Sequence, residues 1–289
     1  SGWGAGTWGS GAWGSARVSS VIKPPLTWSF GAYSDDLIAC PRGRVIYRWD
    51  ATVGGRALEL SGAPSRNDYI FVTPERFLFS LGTIAYGGST YDPMLVRWPD
   101  QTNLTAWTPT GTNSARFQAL GAGSRLIAGA PSRAQSLIWS DSAFYAARYL
   151  GDTEFVYGFD LLGTSCGLIG PNAWAEKDGM AFWMTPSAEF FLYDGGAPRA
   201  LKCEISDLVT EAFRYGDGFA TYCGINHGLD EVWWWYPSGT DTRVLGRLGI
   251  YYYREDKWFP GAVSRTSWVR KVDDSRVFAV SPDGVLHEH

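Results

Sequence analysis

Asp36-Leu-Ile-Ala-Cys-Pro-Arg-Gly-Arg-Val-Ile-Tyr-Arg-Trp49 reads as an apolar strand, a Pro/Gly turn and a second apolar strand that closes on a tryptophan. Cassettes of the same form recur over residues 76–98, 125–139, 178–193, 230–253 and 275–288. Most of them close on Trp or Tyr, and successive starts lie about 40 to 55 residues apart, the spacing of β-propeller blades. Six such repeats use nearly the whole chain of 289 residues. The expectation is an all-β fold, a β-propeller of about six blades, forming a single domain over residues 16–289.

Composition supports strands. Aromatic residues make up 16% of the chain, with 15 each of Trp, Tyr and Phe, and rings suit half-buried pleated surfaces. Thirty-five Gly and 15 Pro punctuate many short elements. The net charge of −4, with scattered basic residues, lacks the basic face on which nucleic-acid binders depend. Cys40, Cys166, Cys203 and Cys223 form no CxxC pair, and apolar neighbours such as Ile38-Ala39 mark them as reduced core residues. No apolar run approaches the roughly 20 residues of a membrane span, and no signal peptide is visible. Synthesis and folding in a cytoplasm follow as the simplest reading.

Three segments depart from the repeat. Residues 1–15 form a Trp/Gly-rich arm in which Trp3, Trp8 and Trp13 recur every five residues, a period of neither helix nor strand. Residues 204–213 read as a short helix insertion, with Ile205, Leu208, Val209, Ala212 and Phe213 at helical spacing and Ser206 as candidate N-cap. Residues 238–249 form a long excursion carrying Arg243 and Arg247. Departures from a repeat are where a scaffold meets partners. Trp3, Trp8, Trp13, Leu208, Phe213, Arg243 and Arg247 are therefore the candidate partner-binding residues.

Catalytic signatures are missing. His227, His287 and His289 are the only histidines, and neither a nucleophile elbow, a Walker loop nor a His-Glu-x-x-His helix occurs. Catalytic, cofactor and metal sites are all expected to be none. The acidic pairs Asp35-Asp36, Asp230-Glu231 and Asp273-Asp274 precede cassettes at corresponding positions. They read as repeated turn residues, not as a hydrolase pair. Trp233-Trp234-Trp235-Tyr236 reads as a strand buried on both faces, with a carbohydrate-stacking platform as the alternative.

Several phrases carry a family resemblance. The leader Gly2-Trp-Gly-Ala-Gly-Thr-Trp-Gly9, Trp28-Ser-Phe-Gly-Ala-Tyr-Ser-Asp-Asp-Leu-Ile-Ala-Cys-Pro-Arg-Gly43 and Ile46-Tyr-Arg-Trp-Asp50 resemble segments of phage tail nozzle proteins (tail tubular protein B) and packaged-DNA stabilisation proteins of short-tailed phages. Asp92-Pro-Met-Leu-Val-Arg-Trp98, Asn103-Leu-Thr-Ala-Trp-Thr-Pro109, Cys166-Gly-Leu-Ile-Gly-Pro-Asn172 and Asp230-Glu-Val-Trp-Trp-Trp-Tyr-Pro237 are similar in the same way.

The resemblance implies a non-enzymatic structural virion protein. It would be part of a homo-oligomeric, sixfold ring next to adaptor, portal-proximal and fibre proteins, retaining packaged DNA and passing it without specific binding. The alternative from the residues is a carbohydrate-binding or glycan-hydrolysing propeller.

A ring of blades has to be closed, and Ala16-Arg-Val-Ser-Ser-Val-Ile22 is strand-like. It is expected to pair with the C-terminal blade, joining the two chain ends in one sheet. Deleting residues 1–23 should then lower the melting temperature strongly, measured by circular dichroism or calorimetry; an unchanged value would refute the pairing.

Overall fold

The computed structural model describes residues 26–133, 135–152, 154–239, 245–270 and 277–289. Six antiparallel sheets stand around a common axis as a six-bladed β-propeller. Blade 1 contains β1 (Trp28–Tyr33), β2 (Asp36–Pro41), β3 (Tyr47–Trp49) and β4 (Leu58–Glu59). Blade 2 contains β5 (Asn67–Val72), β6 (Leu78–Ile84), β7 (Tyr91–Trp98) and β8 (Arg116–Ala119). Blade 3 contains β9 (Leu126–Pro131), β10 (Ser136–Ser140), β11 (Ala143–Tyr149) and β12 (Tyr157–Thr164). Blade 4 contains β13 (Trp174–Lys177), β14 (Met180–Met184), β15 (Phe190–Tyr193) and β16 (Arg199–Ala200). Blade 5 contains β17 (Tyr222–Asn226), β18 (Glu231–Tyr236), β19 (Arg247–Tyr252) and β20 (Lys257–Gly261). Blade 6 has three described strands, β21 (Ser267–Arg270), β22 (Val277–Val280) and β23 (Leu286–Glu288).

The first strand of each blade lies innermost, since β1 meets β5, β5 meets β9, β13 meets β17 and β17 meets β21. Antiparallel order then sends the turns after first and third strands to one rim. The second-to-third turns and the blade connectors emerge on the other.

The repeated cassette corresponds to the second and third strands in blades 1, 2, 4, 5 and 6. Residues 125–139 are out of phase, spanning β9 and β10, the first and second strands of blade 3. Any two adjacent antiparallel strands give the same local pattern, so phase within a blade was hidden. Of the acidic pairs expected in turns, Asp35 and Asp230 sit in turns, while Asp36 and Glu231 begin β2 and β18. Ser34, Arg76, Asp178 and Asp230 all follow a first strand with φ between 54° and 66°, a left-handed conformation that Asp adopts more readily than most residues.

Strand alternation gives each blade two burial destinations. In β10, Ile138 packs toward Phe71, Phe79 and Trp98 of blade 2, while Leu137 and Trp139 pack toward Trp183 of blade 4. In β18, Trp234 meets Phe190 of blade 4 and Trp235 meets Trp268 of blade 6, both fully buried. The Trp233–Trp235 run is therefore core on both faces, and Trp234 offers no carbohydrate platform. Burying one Phe-sized side chain contributes about 1.5–3 kcal/mol, so these ring layers dominate the interfaces between blades. Cys40, Cys166, Cys203 and Cys223 are all free, and burial pushes the Cys40 thiol up to about 12.

The interface where blade 6 meets blade 1 differs from the others. The outer face of blade 1 leaves Trp28 45% and Phe30 58% exposed, with Leu37 and Trp49 on the same side. Opposite it, Val269 and Leu286 of blade 6 are also exposed. The expected closing strand at residues 16–22 and the Trp3/Trp8/Trp13 arm lie outside the described residues.

Inner strands approach one another most closely at glycines. A Cβ on Gly129 would lie 2.3 Å from the Phe71 ring, and one on Gly224 would lie 2.4 Å from the Trp268 ring. Gly129→Ala and Gly224→Ala should each lose about 1–3 kcal/mol through overpacking. Gly111→Ala, with nothing within 4 Å, should stay within about 0.5 kcal/mol of the parent. Denaturant titration followed by tryptophan fluorescence measures all three.

Candidate functional site

The connector between blades 4 and 5, residues 201–221, is where the propeller departs furthest from its repeat. It carries helix α1 (Ser206–Ala212) and a 3-10 turn at Tyr215–Ala220. Ile205, Val209 and Phe213 lie four residues apart and are buried, so one helix face is pinned against blades 4 and 5. Ser206 is not the N-cap: that position is Ile205, and no side chain caps it. Packing of the apolar stripe, not capping, holds this short helix. The 3-10 turn had no signal in sequence, because its Gly216, Asp217 and Gly218 read as loop.

Between α1 and the outer strands of blade 5 runs a groove of about 700 Å³, lined by Leu208, Phe213, Arg214, Tyr236, Arg247 and Pro260 among others. Three expected partner-binding residues, Leu208, Phe213 and Arg247, thus come together here from separate chain segments. Their roles differ. Leu208 is 53% exposed and offers apolar surface, whereas Phe213 is only 6% exposed and forms part of the floor with Tyr236. Arg247 is exposed at the start of β19. Arg214, which the sequence did not single out, is fixed by a hydrogen bond from Nη1 to the Gly239 carbonyl (2.8 Å) and an ion pair with Asp217 (3.1 Å). Arg243, like Trp3, Trp8 and Trp13, lies outside the described residues.

Three members of the acidic pairs, Asp36, Asp230 and Glu231, make local structural contacts. Asp36 is ion-paired with Arg48, and Glu231 accepts a hydrogen bond from the Trp233 indole at 2.9 Å. Asp230 clamps two blades together. It accepts the Tyr253 hydroxyl (2.6 Å) and the Lys177 ammonium of blade 4 (3.0 Å), and it pairs with Arg254. The Tyr253 and Lys177 hydrogen bonds hold its carboxyl down at about 2. Similar clasps recur around this rim. Tyr157 of blade 3 donates to Glu75 (2.9 Å) and accepts from Thr73 (2.8 Å) of blade 2, and Gln135 of blade 3 donates to Tyr193 of blade 4. Asp273-Asp274 lie outside the described residues.

The central axis is filled. Phe219, from the 3-10 turn, lies under the Arg42 guanidinium of blade 1 (4.4 Å to the ring centroid), with Arg125 before blade 3 at 6.0 Å. A residue of the connector between blades 4 and 5 thereby touches the far side of the mouth. Below it, the Tyr69 phenol of blade 2 lies against Trp174 and Tyr222, and burial raises its pKa. What remains is a cavity of about 260 Å³ on the inner strands of blades 4, 5 and 6. Among its lining residues are Trp174, Tyr222, Trp268, Asn172, Glu176 and His227. His227 sits in the turn after β17, as its sequence neighbours Asn226 and Gly228 imply. No group of three or more His, Cys, Asp or Glu among the described residues could hold a metal ion.

No protein family and no curated protein matches this chain. Solved propellers do. A computationally designed protein, Ika8, aligns at a TM-score of 0.56 and 14% identity over 90% of this chain and 69% of its own. A chain of the Mitotic Checkpoint Complex aligns at 0.58 and 15%, over 90% and 74%. Hsv2 of Kluyveromyces lactis aligns at 0.54 and 10%, over 92% and 73%. None of these is a phage tail nozzle protein. At such identities the likeness establishes the propeller fold alone.

The Asp230 clamp has a testable pH signature. Its carboxyl is depressed when folded and near 3.9 when unfolded, so its contribution is complete above about pH 4 and is lost as pH falls toward 2. Asp230→Asn should melt below the parent at pH 7, and the gap should close between pH 4 and pH 2 in thermal scans.

Proposed function

We propose that this chain is a non-enzymatic structural protein of a phage tail, a nozzle or hub subunit. Its copies would close into a sixfold ring that retains packaged DNA and forms the conduit for ejection. The observation that carries this reading is the groove at α1, which gathers Leu208, Arg214 and Arg247 on a propeller where Asp36, Asp230 and Glu231 serve as structural contacts. A surface with an apolar lip, flanking arginines and a rigid floor fits docking against another protein.

The filled axis supports the same reading. A channel crossed by Tyr69, Trp174 and Tyr222 and capped by Phe219 does not admit a duplex, so a DNA conduit has to be assembled between copies. A ring of copies needs two different complementary patches on each subunit, and the groove supplies one of them. The net charge of −4 suits a wall past which DNA slides without being gripped. Adaptor, portal-proximal and fibre proteins are the neighbours this assembly calls for.

Electron microscopy and native mass spectrometry of purified virions test the proposal. The protein is expected in the tail as a ring, and a strictly monomeric protein absent from particles would overturn it. Leu208→Asp combined with Arg247→Glu should abolish ring assembly while leaving the melting temperature within about 2 °C of the parent, because neither side chain is core. An assembled double variant would remove the groove from the interface.

A further inference from the structure

The axial cavity combines three aromatic walls with one carboxylate. Trp174, Tyr222 and Trp268 come from the inner strands of blades 4, 5 and 6, and Glu176 stands two residues after Trp174 on the same face of β13. At about 260 Å³ the space is smaller than the roughly 300–1,000 Å³ of pockets that take drug-sized molecules. A ligand of a single small group fits it.

The walls are held rigidly. Trp174 stacks on Trp139 (5.4 Å between centroids) and donates its indole N–H to the Pro171 carbonyl at 3.0 Å. Tyr222 donates its hydroxyl to the Trp268 carbonyl at 3.1 Å, and the Trp268 indole donates to the Ile225 carbonyl at 3.2 Å. Aromatic dipoles and donors are thus consumed by the scaffold. The Trp268 ring is itself packed on Trp233 and Trp235 and only 9% exposed, so Trp174 and Tyr222 are the aromatic side chains left to meet a ligand.

Glu176 is oriented too. Its Oε1 accepts from the Gly179 amide (2.8 Å) and the Ser132 hydroxyl (3.2 Å), while Oε2 accepts no hydrogen bond from any described residue. Among the described residues that line the cavity there is no lysine or arginine, and His227 is the one basic side chain. Ring faces carry negative electrostatic potential, and a carboxylate in a recess adds a full negative charge. An anionic guest is repelled by this arrangement, and a purely apolar guest would strip water from the carboxylate without compensation.

We infer that the axial cavity is a binding site for a small organic cation, a quaternary or N-methylated ammonium group, held by cation–π contact with Trp174 and Tyr222 and by the charge of Glu176. The inference goes beyond the tail reading and does not rest on it, because the cavity lies inside one propeller, away from the groove.

Tetramethylammonium and choline, followed by isothermal titration calorimetry and tryptophan fluorescence on the full chain, test it directly. Both should bind in the millimolar range or tighter. The neutral choline isostere 3,3-dimethylbutan-1-ol should bind at least about tenfold more weakly, since it shares shape but lacks charge. Glu176→Gln, which keeps the acceptor for Gly179 and Ser132, should weaken choline about five- to tenfold with an unchanged melting temperature. Equal affinity for the isostere, unchanged affinity in Glu176→Gln, or no binding of either cation at tens of millimolar would each overturn the assignment. Methyl glucopyranoside serves as a further ligand: binding of the sugar in preference to choline would overturn it in favour of glycan recognition.

Discussion

Every blade of this propeller has to bury both of its faces, and that requirement organises the rest of the molecule. A sheet in a two-layer sandwich hides one face and wets the other, so its strands alternate apolar with polar. Here alternation sends successive side chains to two different neighbours, and both destinations are dry. Trp234 and Trp235 are adjacent in sequence, yet one belongs to the contact with blade 4 and the other to the contact with blade 6. An unusually aromatic chain follows from this geometry, because wedge-shaped gaps between blades are filled most efficiently by large flat rings. Where inner strands converge, the same constraint demands the opposite, a residue with no side chain at all, as at Gly129 and Gly224.

Much of this was legible beforehand because it is local. A hairpin announces itself through apolar runs and Pro/Gly turns, and Asp178 and Asp230 occupy turns that favour a left-handed backbone. The helix at Ser206–Ala212 was visible from its 3.6-residue spacing. The phase of residues 125–139 was not, since first-to-second and second-to-third strand pairs are chemically alike. The axial cavity was hidden for a different reason. Trp174 and Glu176 sit in an ordinary strand, and only closure of the ring brings them beside Tyr222 and Trp268, about 50 and 90 residues further on. Convergence of that kind leaves no trace in spacing.

The connector before blade 5 links the two regions of interest. One side of it, through Ile205, Val209 and Phe213, anchors a helix whose free edge presents Leu208 to the groove. Its other end carries Phe219 across the axis to Arg42. A single insertion of some 20 residues therefore shapes the outer surface and the inner mouth together. The groove floor at Phe213 and the cap at Phe219 are coupled through the short backbone between them, with Gly218 packed against Ile169 and Phe213.

Phe219 also changes the topology of access. With one mouth spanned by its ring and the two arginines around it, the hole through the propeller becomes a blind well that opens toward the rim bearing the Asp230 and Tyr157 clasps. Among the described residues that rim is the way left into the well, so an object seated there acts as a cork. Whatever covers that rim decides when the interior can exchange its contents.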